Sequence, residues 1–157
     1  MKYVNEALSE QKKKQQSPGE DDKSILYNDL DTESSDIDKE YEINKQVFQK
    51  LDSLIRRDEL YLSADLSRED LVRMAHMNNT RFAKMIKENT GTNLSGYINE
   101  LRLNHAIHLL KEHPEYTLRA ISESSCINSM PTFHSLFKNK TGMTPSEFKK
   151  TQLDMKQ

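Results

Sequence analysis

Tryptophan is absent from this chain of 157 residues, cysteine occurs once, and glycine and proline occur four times each. The lone Cys126 excludes an internal disulfide framework and a cysteine-rich zinc module. So few glycines argue against a glycine-rich nucleotide cradle and against a turn-rich β fold. No apolar run approaches the ~18 residues a membrane helix needs, and no signal-peptide pattern is read at the start. The triplets Asn78-Asn79-Thr80 and Asn93-Leu94-Ser95 match glycosylation acceptors but are read as chance without a secretion signal. Enzyme parts are missing too: no Ser/His/Asp spacing, no phosphate loop, no paired carboxylates on one element. The chain is therefore expected to be a soluble, cytoplasmic, helical protein, not an enzyme, with no cofactor. His105 and His108 with Glu112 have the i, i+3 and i, i+4 spacing of metal ligands on a helix. Ligation there is possible in principle, but no metal is expected.

Charge is nearly balanced, at −2 from 23 basic and 25 acidic residues, but unevenly spread. Residues 17–40 carry nine acids and only two bases, while all five histidines follow residue 41. The C-terminal part is mildly basic once that acidic stretch is set aside. Residues 1–40 hold few apolar side chains, with no sustained period, and Ser17-Pro18-Gly19 is a break. Such a segment buries too little surface to offset its ordering entropy. Residues 1–40 are thus expected to be a disordered or linker tail, with transient helix over residues 2–16. Charge complementarity further suggests that residues 20–40 can mask the basic face as an autoinhibitory tail.

Order is expected from Tyr41. Ile43, Val47, Leu51, Leu54 and Ile55 recur at helical spacing, predicting an amphipathic helix over 41–60 that ends near Asp58. Packing on the following domain is favoured over a coiled coil, because two heptads are too few.

From residue 61 the sequence repeats itself. Phe82, Met85, Ile86, Lys87, Thr90, Gly91 and Tyr97 have counterparts 51 positions later in Phe133, Leu136, Phe137, Lys138, Thr141, Gly142 and Phe148. Ser67 and Leu71 pair with Thr117 and Ile121 at an offset of 50, so the second copy has one extra residue between its helices. A duplicated helical unit follows. Ser67-x-x-Asp70 and Thr117 are expected to cap a short helix, and Asn78 and Ser129 a second one that stops at Thr-Gly. Asn93 and the box Thr144-Pro145-Ser146-Glu147 cap the helices after that. Residues 94–112 form the longest helix, joining the two units, with Pro114 beyond its end. Each unit is a helix-turn-helix.

Leu94-Ser-Gly-Tyr-Ile-Asn-Glu-Leu-Arg-Leu-Asn-His-Ala-Ile-His-Leu-Leu110 resembles the central helix of the AraC/XylS family of bacterial transcription regulators. Phe133-His-Ser-Leu-Phe-Lys138 with Thr141-Gly-Met-Thr-Pro-Ser-Glu-Phe148 resembles that family's C-terminal signature. The match covers residues 61–150, and Leu60-Tyr61-Leu62 also resembles the domains that end large Bacteroidetes-type regulators. The resemblance implies an all-α fold: two helix-turn-helix subdomains joined by a long central helix, over residues 61–152. It implies sequence-specific binding of double-stranded DNA, with RNA polymerase as a partner. It also implies the output end of a longer sensor-regulator, or a truncated relative whose sensor region or partner lies outside this chain.

By the same resemblance the second helix of each unit is a recognition helix. The first would present Asn79, Thr80, Arg81, Ala83, Lys84 and Lys87, of which Thr80, Ala83 and Lys84 match the family's base contacts. Asn79 suits adenine and Lys84 guanine, whereas Arg73, Arg81 and Lys87 suit phosphate. The second helix would present Met130, Pro131, His134, Ser135 and Lys138. Relatives usually place arginine where Met130 or Ser135 stands, and Gly-Phe where the turn here reads Cys126-Ile127. The second unit is therefore expected to fold, with Ser122 allowing close packing and Ile127 filling the core, but to read bases weakly. If a positive φ is required at the turn, the missing glycine brings strain. The competing reading is a protein-interaction module whose degenerate duplication reads little DNA.

Overall fold

The computed structural model describes residues 20–157, and side chains from residue 35. The expected transient helix at residues 2–16 lies outside the described residues. Among the described residues the α-helices in order are α1 (Glu20–Arg57), α2 (Arg68–Met74), α3 (Asn79–Thr90), α4 (Leu94–Glu112), α5 (Leu118–Ser124), α6 (Met130–Thr141) and α7 (Pro145–Met155). A 3-10 turn at Leu60–Leu62 joins α1 to α2, and no strand occurs among the described residues.

The chain divides into two units, Met1–Ile43 and Asn44–Gln157. In the first, α1 is already helical from Glu20, where the sequence predicts flexible chain. Residues 35–43 are all exposed, Ile37, Tyr41 and Ile43 among them. Residues that bury no side chain leave no apolar stripe, so over 35–43 periodicity has no way to reveal the helix. Ile43, expected on the packing face, is exposed, and the neighbouring Asn44 is buried in its place.

The second unit has two cores. Leu51 and Ile55 of α1 meet Leu71, Phe82, Met85, Ile86, Tyr97, Ile98 and Leu101 in one. Leu103, Ala106, Leu110, Ile121, Ile127, Phe133 and Phe137 build the other. The central helix α4 serves both, handing Tyr97 to Leu101 to the first core and Leu103 to Leu110 to the second. Its 19 residues make a strut about 28 Å long at 1.5 Å per residue. Arg102 of α4 donates from Nε to the Tyr61 carbonyl at 2.6 Å, tying the 3-10 turn to the strut. Tyr97 donates its hydroxyl to the Asp52 carboxylate at 2.6 Å; burial and that carboxylate push the phenol well above its usual range. His105, half-buried, makes a T-shaped ring contact with Tyr61, and burial lowers its pKa.

Candidate nucleic-acid interface

The turn between α2 and α3 is set by backbone chemistry that recurs between α5 and α6. Ala75, His76 and Met77 donate to the carbonyls of Leu71, Arg73 and Val72. Fifty residues on, Ser125, Cys126 and Ile127 donate to those of Ile121, Glu123 and Ser122. At the middle position both chains enter the left-handed region, His76 at φ 52° and Cys126 at φ 53°. The positive φ is thus kept without glycine, at a cost of roughly 1–2 kcal/mol per residue. Cys126 offsets part of this by donating its Sγ–H to the Leu62 carbonyl at 2.7 Å. Ser122, buried, hydrogen-bonds its hydroxyl to the Ile127 carbonyl, which fixes the second turn from inside.

Both second helices then start and stop alike. The Asn78 side chain accepts from Arg81 N at 2.9 Å and the Ser129 hydroxyl from Thr132 N at 3.3 Å. Each helix ends on a left-handed glycine, Gly91 at φ 73° and Gly142 at φ 76°, whose N–H closes the last turn on Lys87 and Lys138. Phe82, Met85 and Ile86 are buried on α3, and Phe133 and Phe137 on α6. What remains outside is the candidate interface.

On α3, Asn79, Thr80, Ala83, Lys84 and Lys87 are exposed together on the first three turns. Lys84 Nζ lies 3.9 Å from the Glu88 carboxylate, a solvated pair worth little and easily released. Arg81 is different: half-buried, it donates from Nε to Oδ1 of Asn44 at 2.9 Å. Asn44 is 1% exposed, so Arg81 joins α3 to α1 as well as facing outward. Arg73, on α2, is exposed and 3.3 Å from Asp70, the capping-box residue of that helix.

On α6, Pro131, Ser135 and Lys138 are exposed, whereas Met130 and His134 are half-buried and Met130 packs against the second core. The basic residues of α6, Lys138 and Lys140, lie in its last turn, and Lys140 is paired with Glu100 of α4. The N-terminal end of α6 thus has no side-chain charge, while α3 carries Arg81 and Lys84 there.

Sequence reasoning missed two residues that bond to side chains of this surface. Asn44 gave no signal because its partner is 37 positions away. Arg68, the first residue of α2, hydrogen-bonds to Asn79, and nothing in local spacing announces that contact. Among the described residues no group of three His, Cys, Asp or Glu side chains is placed to hold a metal, and no helix is long and apolar enough to cross a membrane.

Comparison with known proteins gives this geometry its context. A family described as a helix-turn-helix domain matches residues 71–151. The transcriptional regulatory protein YesN of Bacillus subtilis is 36% identical over 80 residues, covering 50% of this chain and 22% of YesN. The HTH-type transcriptional regulator YobQ of the same organism is 30% identical over 91 residues, covering 58% of this chain and 37% of YobQ. This chain therefore spans well under half the length of either relative. In three dimensions it is similar to a transcriptional regulator from Chromobacterium violaceum, one of the AraC-type DNA-binding domain-containing proteins. That structure is 27% identical with a TM-score of 0.58, over 66% of this chain and 92% of the other. The doubled turn, the caps, the central strut and the matched residues agree: the chain belongs to the AraC-type family of helix-turn-helix DNA-binding domains.

Proposed function

We propose that this protein is a sequence-specific regulator of transcription that reads double-stranded DNA with α3 and α6 in successive major-groove segments. The observation that carries the reading is the pair of turns on one strut with the same backbone hydrogen bonds and the same left-handed middle residue. Each turn leads into a helix whose N-terminal half is free of core contacts on one side. Major-groove segments on one face of the duplex recur about every 34 Å, a spacing that a strut about 28 Å long suits. The contact set is Asn79, Thr80, Ala83 and Lys84 at base edges, with Arg81 and Lys87 near phosphate. The second helix contributes Met130, Pro131, His134 and Ser135 with little hydrogen-bonding capacity, and Lys138 toward phosphate. In this role the protein acts in the bacterial cytoplasm, with RNA polymerase and a sensor region or partner as its counterparts. Titration of duplex DNA against salt tests it. Binding that weakens linearly on a log–log plot as salt rises, and that is stronger for selected than for random duplexes, is expected. Salt-independent or absent binding would favour a protein-interaction module.

A further inference from the structure

Asn44, Phe48, Leu51 and Ile55 fall on one face of α1 at helical spacing. Phe48, Leu51 and Ile55 pack into the first core, and Asn44 continues that face, buried too at 1% exposed. Its Oδ1 accepts from Arg81 Nε at 2.9 Å, while its buried Nδ2 has no hydrogen-bond partner among the described residues. A guanidinium has donors only, so the amide atom facing it is the oxygen and the orphaned one is the amine. A buried amine left unpaired is a standing penalty on the fold, and an apolar side chain would avoid it. The bond to Arg81 is what an asparagine supplies there and a leucine cannot.

Arg81 is held at both ends. It is the third residue of α3, and its backbone N–H donates to Asn78 Oδ1 at 2.9 Å. Its side chain, half-buried, rests on Asn44, 37 positions away in sequence. That bond uses Nε, and the terminal nitrogens of the guanidinium carry N–H groups that can exchange their partners for phosphate oxygens. An arginine that closes on a phosphate loses its rotamer freedom, and one already ordered has less to lose. We propose that Asn44 is a positioning residue for DNA binding, which orders Arg81 in advance of a phosphate contact. A residue of α1 too buried to reach DNA thereby contributes to affinity. The inference rests on the reading of α3 as a major-groove helix and adds the residue that stands behind it. A phosphate contact carries no sequence information, so the contribution is the same for every duplex. The uncharged Thr132 stands where Arg81 does in the second unit, so the device belongs to the first alone.

The test is salt titration of the full chain on selected and on random duplexes. The variants are Asn44→Leu, Asn44→Ala, Arg81→Met and the double variant Asn44→Leu with Arg81→Met, each checked for an unchanged helical signal. Arg81→Met should weaken all duplexes and lower the salt slope by about one unit. Asn44→Leu should weaken all duplexes by roughly two- to tenfold, the scale of ordering one rotamer-rich side chain. The smaller Asn44→Ala should do the same and keeps the test decisive should leucine overfill the site. In the Arg81→Met background Asn44→Leu should change nothing further. A merely structural asparagine would alter stability and leave affinity where it was, and that result would overturn the proposal. So would a loss on Asn44→Leu that persists without Arg81, or an Arg81→Met slope equal to that of the unmodified chain. Each of these leaves DNA reading by α3 standing. Absence of salt-dependent binding in the unmodified chain would overturn that reading itself.

Discussion

His76 and Cys126 stand at the same point of the two helix-turn-helix units, with φ values one degree apart and the same three backbone hydrogen bonds around them. A few residues later the likeness ends. Asn79 and Lys84 of the first unit are replaced by Met130 and Ser135 in the second, and the half-buried Arg81 by the exposed Thr132. The frame depends on caps, turn carbonyls and one buried face, and these leave the outer face of α3 and α6 unconstrained. One copy can therefore lose polar side chains there without losing its fold. The first copy is also tied to more of the molecule, through Arg81 to Asn44 and through Tyr97 to Asp52.

The largest expected effect breaks the frame in either half. Phe82→Ala and Phe133→Ala each empty a fully buried aromatic site and should cost about 3–5 kcal/mol. Because the two rings belong to separate cores, amide exchange should speed up first in the half that carries the substitution. Equal loss across both halves would mean that α4 makes them one cooperative core.

Next in size is the tie found only in the first unit. Arg81→Ala strips a charged donor from buried Asn44 and should cost about 1–3 kcal/mol in urea denaturation. Its counterpart Thr132→Ala removes only an exposed 3.0 Å contact with the Ser129 hydroxyl and should cost less than about 1 kcal/mol. Similar costs would erase the asymmetry between the units.

The smallest effect probes the turns. His76→Gly relieves a left-handed side chain against the added entropy of glycine, for a gain of about 0.5 kcal/mol in thermal melts. Cys126→Gly relieves the same strain but loses the Sγ–H bond to Leu62, so it should gain less. A larger gain at Cys126 would show that bond to be unimportant.

What could be read from the sequence is what is local. The caps Ser67, Asn78, Asn93, Thr117, Ser129 and Thr144 all act where spacing predicts, because a cap bonds a backbone N–H three residues ahead. The bounds of α4, Leu94 and Glu112, follow from one such cap and the approach of Pro114. The long reach of α1 was not legible, since residues 35–43 bury nothing that could leave a pattern. Nor were Asn44 with Arg81, Arg68 with Asn79, or Cys126 with Leu62. Each joins residues 11 to 64 positions apart through geometry that only the folded turns create.

The claim that the first unit dominates base readout is tested most directly by the DNA motif selected from a random library, repeated with Lys84→Ala and Ser135→Ala. The account predicts one sharp half-site and one blurred half-site about a helical turn away. Lys84→Ala should cost about 1–3 kcal/mol on the best site and relax one position of the sharp half, while Ser135→Ala leaves the motif intact. Two equally sharp halves, or a motif lost with Ser135→Ala and kept with Lys84→Ala, would contradict it.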